Sequence, residues 1–240
     1  MDAGIDEVVF VVGYAPNRIQ THFGDGDDWG VDVKYVVQEK QLGTAHAVAQ
    51  AAAAVDEAFV VLNGDRIIEP SAVTSVTERL SRDCGPVMTV TRSANPGAYG
   101  VVELNLDGDH VLDIEEKPRH ATSEPINAGV YGFEQSIFDA ISETPPDDAG
   151  ERGIPDTLAR LVADGGVSAV RYGGLWEDVS HLWDVTRVTG HVLDRDGSTR
   201  DGDVAKTASV ADPVHVGTGT SVDANATLRR GCSLGENVTI

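Results

Sequence analysis

Apolar residues in the first half of the chain come in short runs separated by helix-like segments. "DEVVFVVG" at 6–13, "VDVKYVV" at 31–37 and "AFVVLNGD" at 58–65 are β-rich runs of strand length. Between them the spacing predicts helices. One runs from Pro16 to near Gly24, one covers 44–55 ("TAHAVAQAAAAV") with Thr44 as N-cap, and one covers 70–80 and opens on Pro70. Strands alternating with helices predict an α/β fold with a mostly parallel sheet.

The pattern then changes twice. Strands follow one another more closely in "GPVMTVTR", in a hairpin over "YGVVELNLDGDHVLDIEEKP" that turns at "LDGDH", and in "PINAGVYGF". Helices are expected near 134–141, 155–163 and 180–193. From Val204 an apolar residue stands at every sixth position: Val204, Val210, Val216, Val222, Leu228, Leu234 and Ile240. Four positions after the first six stand Ala208, Val214, Thr220, Ala226, Cys232 and Val238. A period of six fits neither helix nor plain strand. It predicts a hexapeptide β-helix, each apolar residue pointing into a narrow prism. About two coils fit before residue 240, where such arrays need about three, so this segment is expected to be incomplete. The expected division is residues 1–200 and 201–240.

Composition narrows the function classes. Lys plus Arg is 18 and Asp plus Glu is 39 in 240 residues, a net charge of -21. So acidic a surface repels nucleic acid and anionic membranes, and it suits a salt-rich, halophilic cytoplasm. No apolar run reaches the roughly 18 residues of a membrane span, and the N-terminus has no basic segment leading an apolar one. Cys84 and Cys232 are far apart, in no metal-like spacing, and read as thiols of a reducing cytosol. A phosphate-bearing ligand would need local positive charge from a metal ion or a few placed Lys and Arg.

Several polar residues stand where strands end. Asp65 closes "VVLNGD"; a carboxylate there suits magnesium, and it also suits a plain turn after Asn-Gly. Asp178 in "GGLWEDVSHLWDV" precedes a helix that Ser180 can cap, and is either a second ligand or a turn acid. Glu116 and Lys117 in "IEEKP" suit sugar hydroxyls and a phosphate, or a solvated hairpin end. Asn127 is polar in an apolar strand, so it bonds the neighbouring backbone or a ligand. In "VVQEKQLGTAHAVAQ" the residues Gln38, Gln41, Gly43 and Thr44 crowd the mouth of a helix.

Taken in order, "QEKQLGTAHAV", "VVLNGD", "YGVVEL", "IEEKP", "INAGVYGF" and "WEDVSHLWDV" resemble the sugar-1-phosphate nucleotidylyltransferases, from about residue 4 to residue 193. The hexapeptide tail continues the resemblance toward the subgroup that joins such a domain to a left-handed β-helix, the layout of N-acetylglucosamine-1-phosphate uridylyltransferases. The resemblance implies a Rossmann-like domain in which Gln38, Gln41, Gly43 and Thr44 bind the nucleotide. Asp65 and Asp178 would hold the catalytic magnesium. Gly100, Glu116, Lys117, Asn127 and Glu151 would line the sugar-phosphate pocket. The implied reaction moves a nucleotidyl group from UTP or dTTP to a sugar-1-phosphate and releases pyrophosphate.

The family's opening strand and Gly-rich loop, with its Arg and Lys, are not found. "GTGTS" at 217–221 falls in the hexapeptide register with no basic residue after it. The expectation is therefore a chain lacking the first strand and loop, its transfer impaired. A non-catalytic regulatory or scaffolding relative that binds nucleotide-sugars is the alternative. Acyl transfer by the tail is disfavoured, since two coils leave little room and His215 is expected to face solvent. The β-helix is also a candidate surface for homo-oligomer formation.

Overall fold

The structure is a computed structural model that describes residues 3–83, 85–120, 125–164 and 166–240. Cys84 lies outside the described residues. By packing, the chain divides into two compact units, one running to Trp176 and one spanning Glu177–Ile240. By this packing criterion the break falls at 176/177.

In the first unit the elements are β1 (Glu7–Val12), α1 (Pro16–Phe23), β2 (Asp32–Val37), α2 (Thr44–Gln50), β3 (Phe59–Leu62), β4 (Arg66–Ile68), α3 (Pro70–Arg82), β5 (Val87–Arg92), β6 (Gly100–Leu104), β7 (Val111–Glu116), β8 (Pro125–Phe133), α4 (Ser136–Glu143), α5 (Ile154–Ala163) and β9 (Ser168–Arg171). β10 (Trp176–Asp178) spans the boundary, and α6 (Leu182–Asp196) follows in the second unit. The helix expected over 44–55 stops at Gln50, and 51–54 form a turn.

β1 and β2 pair in parallel, Val12 opposite Val37. The larger sheet is mixed but not mostly parallel. β8 lies antiparallel to β3, β5 and β6, β6 and β7 form the expected hairpin, and among the described residues only β5–β9 is parallel in this sheet. The physical reason is one long strand: β8 runs against three neighbours and sets the sense of each pairing.

β8 is buried along nearly its whole length because helices cover both faces of the sheet. On one face Val76 and Leu80 of α3 pack on Val87 and Val130. Gly132 makes room for that helix: an added Cβ would stand 2.8 Å from Val76 Cγ1. On the other face Met88, Tyr131 and Phe133 meet Ile137, Ile141, Ile154 and Leu158 of α4 and α5, with Ala45 and Val48 of α2. Burying each of the larger apolar side chains contributes roughly 1.5–3 kcal/mol.

In the second unit, seven two-residue strands follow α6 among the described residues. They stack in parallel: the first pairs Thr199 with His215, and from the second on the partners lie three hexads apart, Val204 beside Val222, Val210 beside Leu228 and Val216 beside Leu234. These residues form one apolar cluster with Val214, Ala208, Ala226 and Cys232, while Ile240 is exposed. His215 is half-buried and shares a solvent-exposed hydrogen bond with Thr199 Oγ1 at 2.7 Å. α6 belongs with these coils: Arg230 pairs with Asp194 at 2.7 Å, and Gly231 approaches Gly190.

Candidate active site

Two groups of the expected residues gather within the first unit. The first lies beyond β1 and β2. The Gln38 backbone N–H donates to Val12 O at 2.8 Å, extending the strand pairing by one bond. The Gln38 side chain is buried, and its amide nitrogen donates to Gly43 O at 3.2 Å and to His46 Nδ1 at 2.9 Å. Both amide protons are thus spent on shaping the loop. Gln41 is exposed and its amide lies against Gly13, where an added Cβ would sit 2.9 Å from Nε2.

Gly43 has a physical reason that spacing did not reveal. Its φ is +95°, and a Cβ there would stand 2.2 Å from Arg152 O. Arg152 is laced to this loop: its N–H donates to Leu42 O at 2.8 Å, and its carbonyl accepts from Ala45 N at 2.9 Å. Glu151 is its chain neighbour and so stands beside the loop, its N–H on Asp147 Oδ1 at 2.8 Å. Thr44 is not the N-cap expected of it. Gly43 holds that position, and Thr44 Oγ1 instead accepts the N–H of Ile154, the first residue of α5, at 2.9 Å.

The second group meets around Gly129 in β8. Gly129 N donates to Asn127 Oδ1 at 3.0 Å, and Gly129 O accepts the N–H of Asn63 at 3.0 Å. The Asn63–Arg66 turn that carries Asp65 is thereby tied to Asn127. Gly129 must be glycine here: φ is +77°, and a Cβ would lie 2.9 Å from Asn63 Nδ2. Asn127 also donates Nδ2 to Tyr131 OH at 2.8 Å, so the structure answers the question its buried amide raised. Burial pushes the Tyr131 phenol far up, which keeps it a neutral partner.

Gly100 sits opposite Glu116 in the β6–β7 pairing. An added Cβ at Gly100 would meet Glu116 Oε2 at 2.8 Å and Asn127 Cβ at 3.6 Å, so these three residues share one spot. Lys117 follows in left-handed backbone, φ 45°, with Nζ 3.7 Å from Glu116 Oε1 and its N–H on Tyr99 O. Asp65 is 46% exposed and pairs with Arg66 at 3.3 Å. Arg66 itself is packed by Tyr99 and Trp176, and Trp176 Nε1 donates to Ala128 O at 2.8 Å. Arg66, Gly129, Arg152 and Trp176 escaped sequence reading. The one available signal was the glycine at 129 inside an apolar strand, which marks a close approach.

Asp178 is described within the second unit. Its Oδ1 accepts the Ser180 hydroxyl at 2.9 Å and its backbone carbonyl accepts Arg187 Nη2 at 2.9 Å. Ser180 therefore serves Asp178 and does not cap α6. His181 is the N-cap, its N–H held by Asp184 Oδ2 at 2.8 Å. Glu177 next to Asp178 is clamped by Arg187 and His191, one helical turn apart on α6. Among the described residues no three His, Cys, Asp or Glu side chains converge as a metal cluster.

The parallel β1–β2 pair, the mixed sheet with helices on both faces, and polar loops at strand ends define a Rossmann-like α/β domain. The chain belongs to the nucleotidyl transferase family, whose model, described as "Nucleotidyl transferase", matches residues 1–195. It is 32% identical over 224 residues to the bifunctional protein GlmU of Methanococcus maripaludis, covering 92% of this chain and 52% of that protein. It is 33% identical over 223 residues to a glucose-1-phosphate thymidylyltransferase of Streptomyces antibioticus, covering 92% of this chain and 62% of that one. The chain thus spans about half the length of its archaeal relative. In fold it is similar to a UDP-glucose pyrophosphorylase solved with UDP-glucose, at TM-score 0.71 and 20% identity, over 81% of this chain and 83% of the other.

Proposed function

We propose that this chain carries the nucleotidyl-transfer domain of a sugar-1-phosphate nucleotidylyltransferase, taking UTP or dTTP and a sugar-1-phosphate. The observation that carries the reading is that Asn127 meets Gly100 and Glu116 on one side and is tied through Gly129 to Asp65's turn on the other, in a family-matched domain. On this reading an oxygen of the sugar-1-phosphate attacks the α-phosphorus of the triphosphate. The bond from that phosphorus to the β-phosphate's bridging oxygen breaks, and pyrophosphate leaves with the electron pair. The protein's part is positioning and charge management, with no nucleophile of its own.

Gln41, exposed and offering both donor and acceptor, reads the pyrimidine edge, while Gln38 holds the loop that presents it. Gly43 and Thr44 keep the loop against the 152–154 segment, with Glu151 alongside. Glu116 accepts sugar hydroxyls, Lys117 meets the sugar phosphate, and Gly100 and Asn127 form the floor. Asp65 fits magnesium, being a half-exposed hard oxygen donor of the kind that binds with substrate phosphates as co-ligands, and Asp178 is assigned the same role. Magnesium would supply charge neutralisation at the α-phosphate. On this reading the transferase part extends through α6 to residue 200. The stacked hexads from 201 are the start of a left-handed β-helix, a surface for self-association. The setting is a salt-rich cytoplasm, away from nucleic acid and membranes, and among the described residues no helix is long and apolar enough to cross one.

The test is pyrophosphate release from each nucleoside triphosphate with glucose-1-phosphate or N-acetylglucosamine-1-phosphate and magnesium. A pyrimidine triphosphate should support release, and Asp65→Asn should lower the rate at least about 100-fold. Tight nucleotide-sugar binding with no release under any pairing would overturn the transferase reading.

A further inference from the structure

A chain of net charge -21 that places a carboxylate where an anionic substrate must dock faces an electrostatic problem. Around Asp65 the fold supplies a cation in an unusual holder. Arg66 is 12% exposed at its side chain, and its guanidinium lies 3.3 Å from Asp65 Oδ2. The guanidinium carbon sits 5.9 Å from the centre of the Tyr99 ring and 5.4 Å from that of Trp176. The two rings meet edge-to-face at 5.2 Å, so they form a corner against the guanidinium. Trp176 is pinned in turn by its bond to Ala128 O, and the Arg66 N–H closes the turn on Asn63 O at 3.1 Å. The Arg66 stem packs where a Cβ on Gly129 would be, 3.4 Å from its Cγ. Each contact restricts the arginine, and none of them requires a metal.

We propose that Arg66 is the resident counter-ion of Asp65, held by Tyr99 and Trp176 so that the carboxylate is neutralised before any metal arrives and an anionic phosphate ligand can dock. This rests on the reading of Asp65 as a ligand of the nucleotide-transfer site. An exposed lysine would lose side-chain entropy to do the same work, whereas a guanidinium packed against two rings is already ordered. Arg66 acts through Asp65 and is a positioning residue.

The experiment is a double-mutant cycle on nucleotide affinity without metal. UTP and dTTP are titrated by calorimetry in EDTA into the wild-type chain, Arg66→Gln, Asp65→Asn and the double variant. Arg66→Gln should weaken metal-free binding by about tenfold, the effect of one uncompensated charge a few ångströms from a phosphate. Adding Asp65→Asn should restore it, since the repelling charge has gone, and Arg66→Lys should keep affinity within about threefold of wild type because the charge remains. A purely structural arginine lowers the melting temperature in both backgrounds and shows no such reversal. Wild-type affinity in Arg66→Gln, or an equal loss in the double variant, overturns the inference, as does a wild-type chain that binds no nucleotide in EDTA. Turnover is read separately: release of pyrophosphate by the wild type together with no reversal removes this inference and leaves the transferase reading intact. No release together with the reversal does the opposite.

Discussion

The N–H of Ile154 donates to the hydroxyl oxygen of Thr44 at 2.9 Å, so a residue of the glutamine loop caps a helix that lies 110 residues away in sequence. Together with the Arg152 bonds to Leu42 and Ala45, this makes the loop and the start of α5 one structural piece. Thr44→Val keeps the shape but removes the acceptor. It should cost about 1 kcal/mol in urea unfolding, as loss of a helix cap does, while Thr44→Ser should be near neutral. Equal stability of the valine and serine variants would show that the bond does not contribute.

Gly43→Ala should be more damaging. The left-handed φ and the 2.2 Å approach to Arg152 O leave no place for a methyl group. Strain and displacement together should cost at least about 2 kcal/mol, and nucleotide affinity should fall with it because the loop must move. Thermal melting followed by circular dichroism reads the first effect, calorimetry the second.

Gln41 is exposed, so its removal should leave the fold alone. If it reads the base, Gln41→Ala should weaken binding of the preferred pyrimidine triphosphate by about 1–3 kcal/mol and narrow the gap to purines. An unchanged affinity with unchanged base preference would reassign the amide to a structural role over Gly13.

In the second unit Val222 is 1% exposed, packed with Val214, Val216 and Leu228. Val222→Glu places a charge in this apolar cluster without a partner, at a cost of several kcal/mol. Limited proteolysis should then cut within 199–240 while the core around Phe133 and Leu158 stays protected. Simultaneous loss of both units would show that they fold together.

The hairpin turn carries an acid-sensitive group. Hydrogen bonds from His110 and Asn105, aided by the charge of Arg79, hold the Asp109 carboxyl at about 2, below its ordinary 3.8. A depressed carboxyl stabilises the fold above the unfolded value and loses that contribution as pH falls through the folded one. Urea midpoints should therefore drop between about pH 4 and pH 2, and Asp109→Asn should flatten the curve in that window. An identical slope in the variant would place the acid sensitivity elsewhere.

Most of what the chain sequence determined by itself is local. The β-rich runs at 6–13 and 58–65, proline at the starts of α1 and α3, and the hairpin turn before His110 follow from side-chain period and turn chemistry within a few residues. The period of six from Val204 is legible within a short window as well, although the strands it marks pair with partners 18 residues further on. Asp65 and Glu116 were legible as candidates because one stands in the turn just after a strand and the other ends one, and strand ends are where such sheets hold ligands. Tertiary structure alone decided the rest. That β8 runs against three neighbours depends on where the chain returns, which no window of residues encodes. Gly43 answers to Arg152, Thr44 to Ile154, and Asn127 and Asn63 to Gly129. Arg66 takes its orientation from Tyr99 and Trp176, which are 33 and 110 positions further on. Such pairings are set by burial and close approach between segments that meet only when the core packs, and a linear pattern carries no record of them.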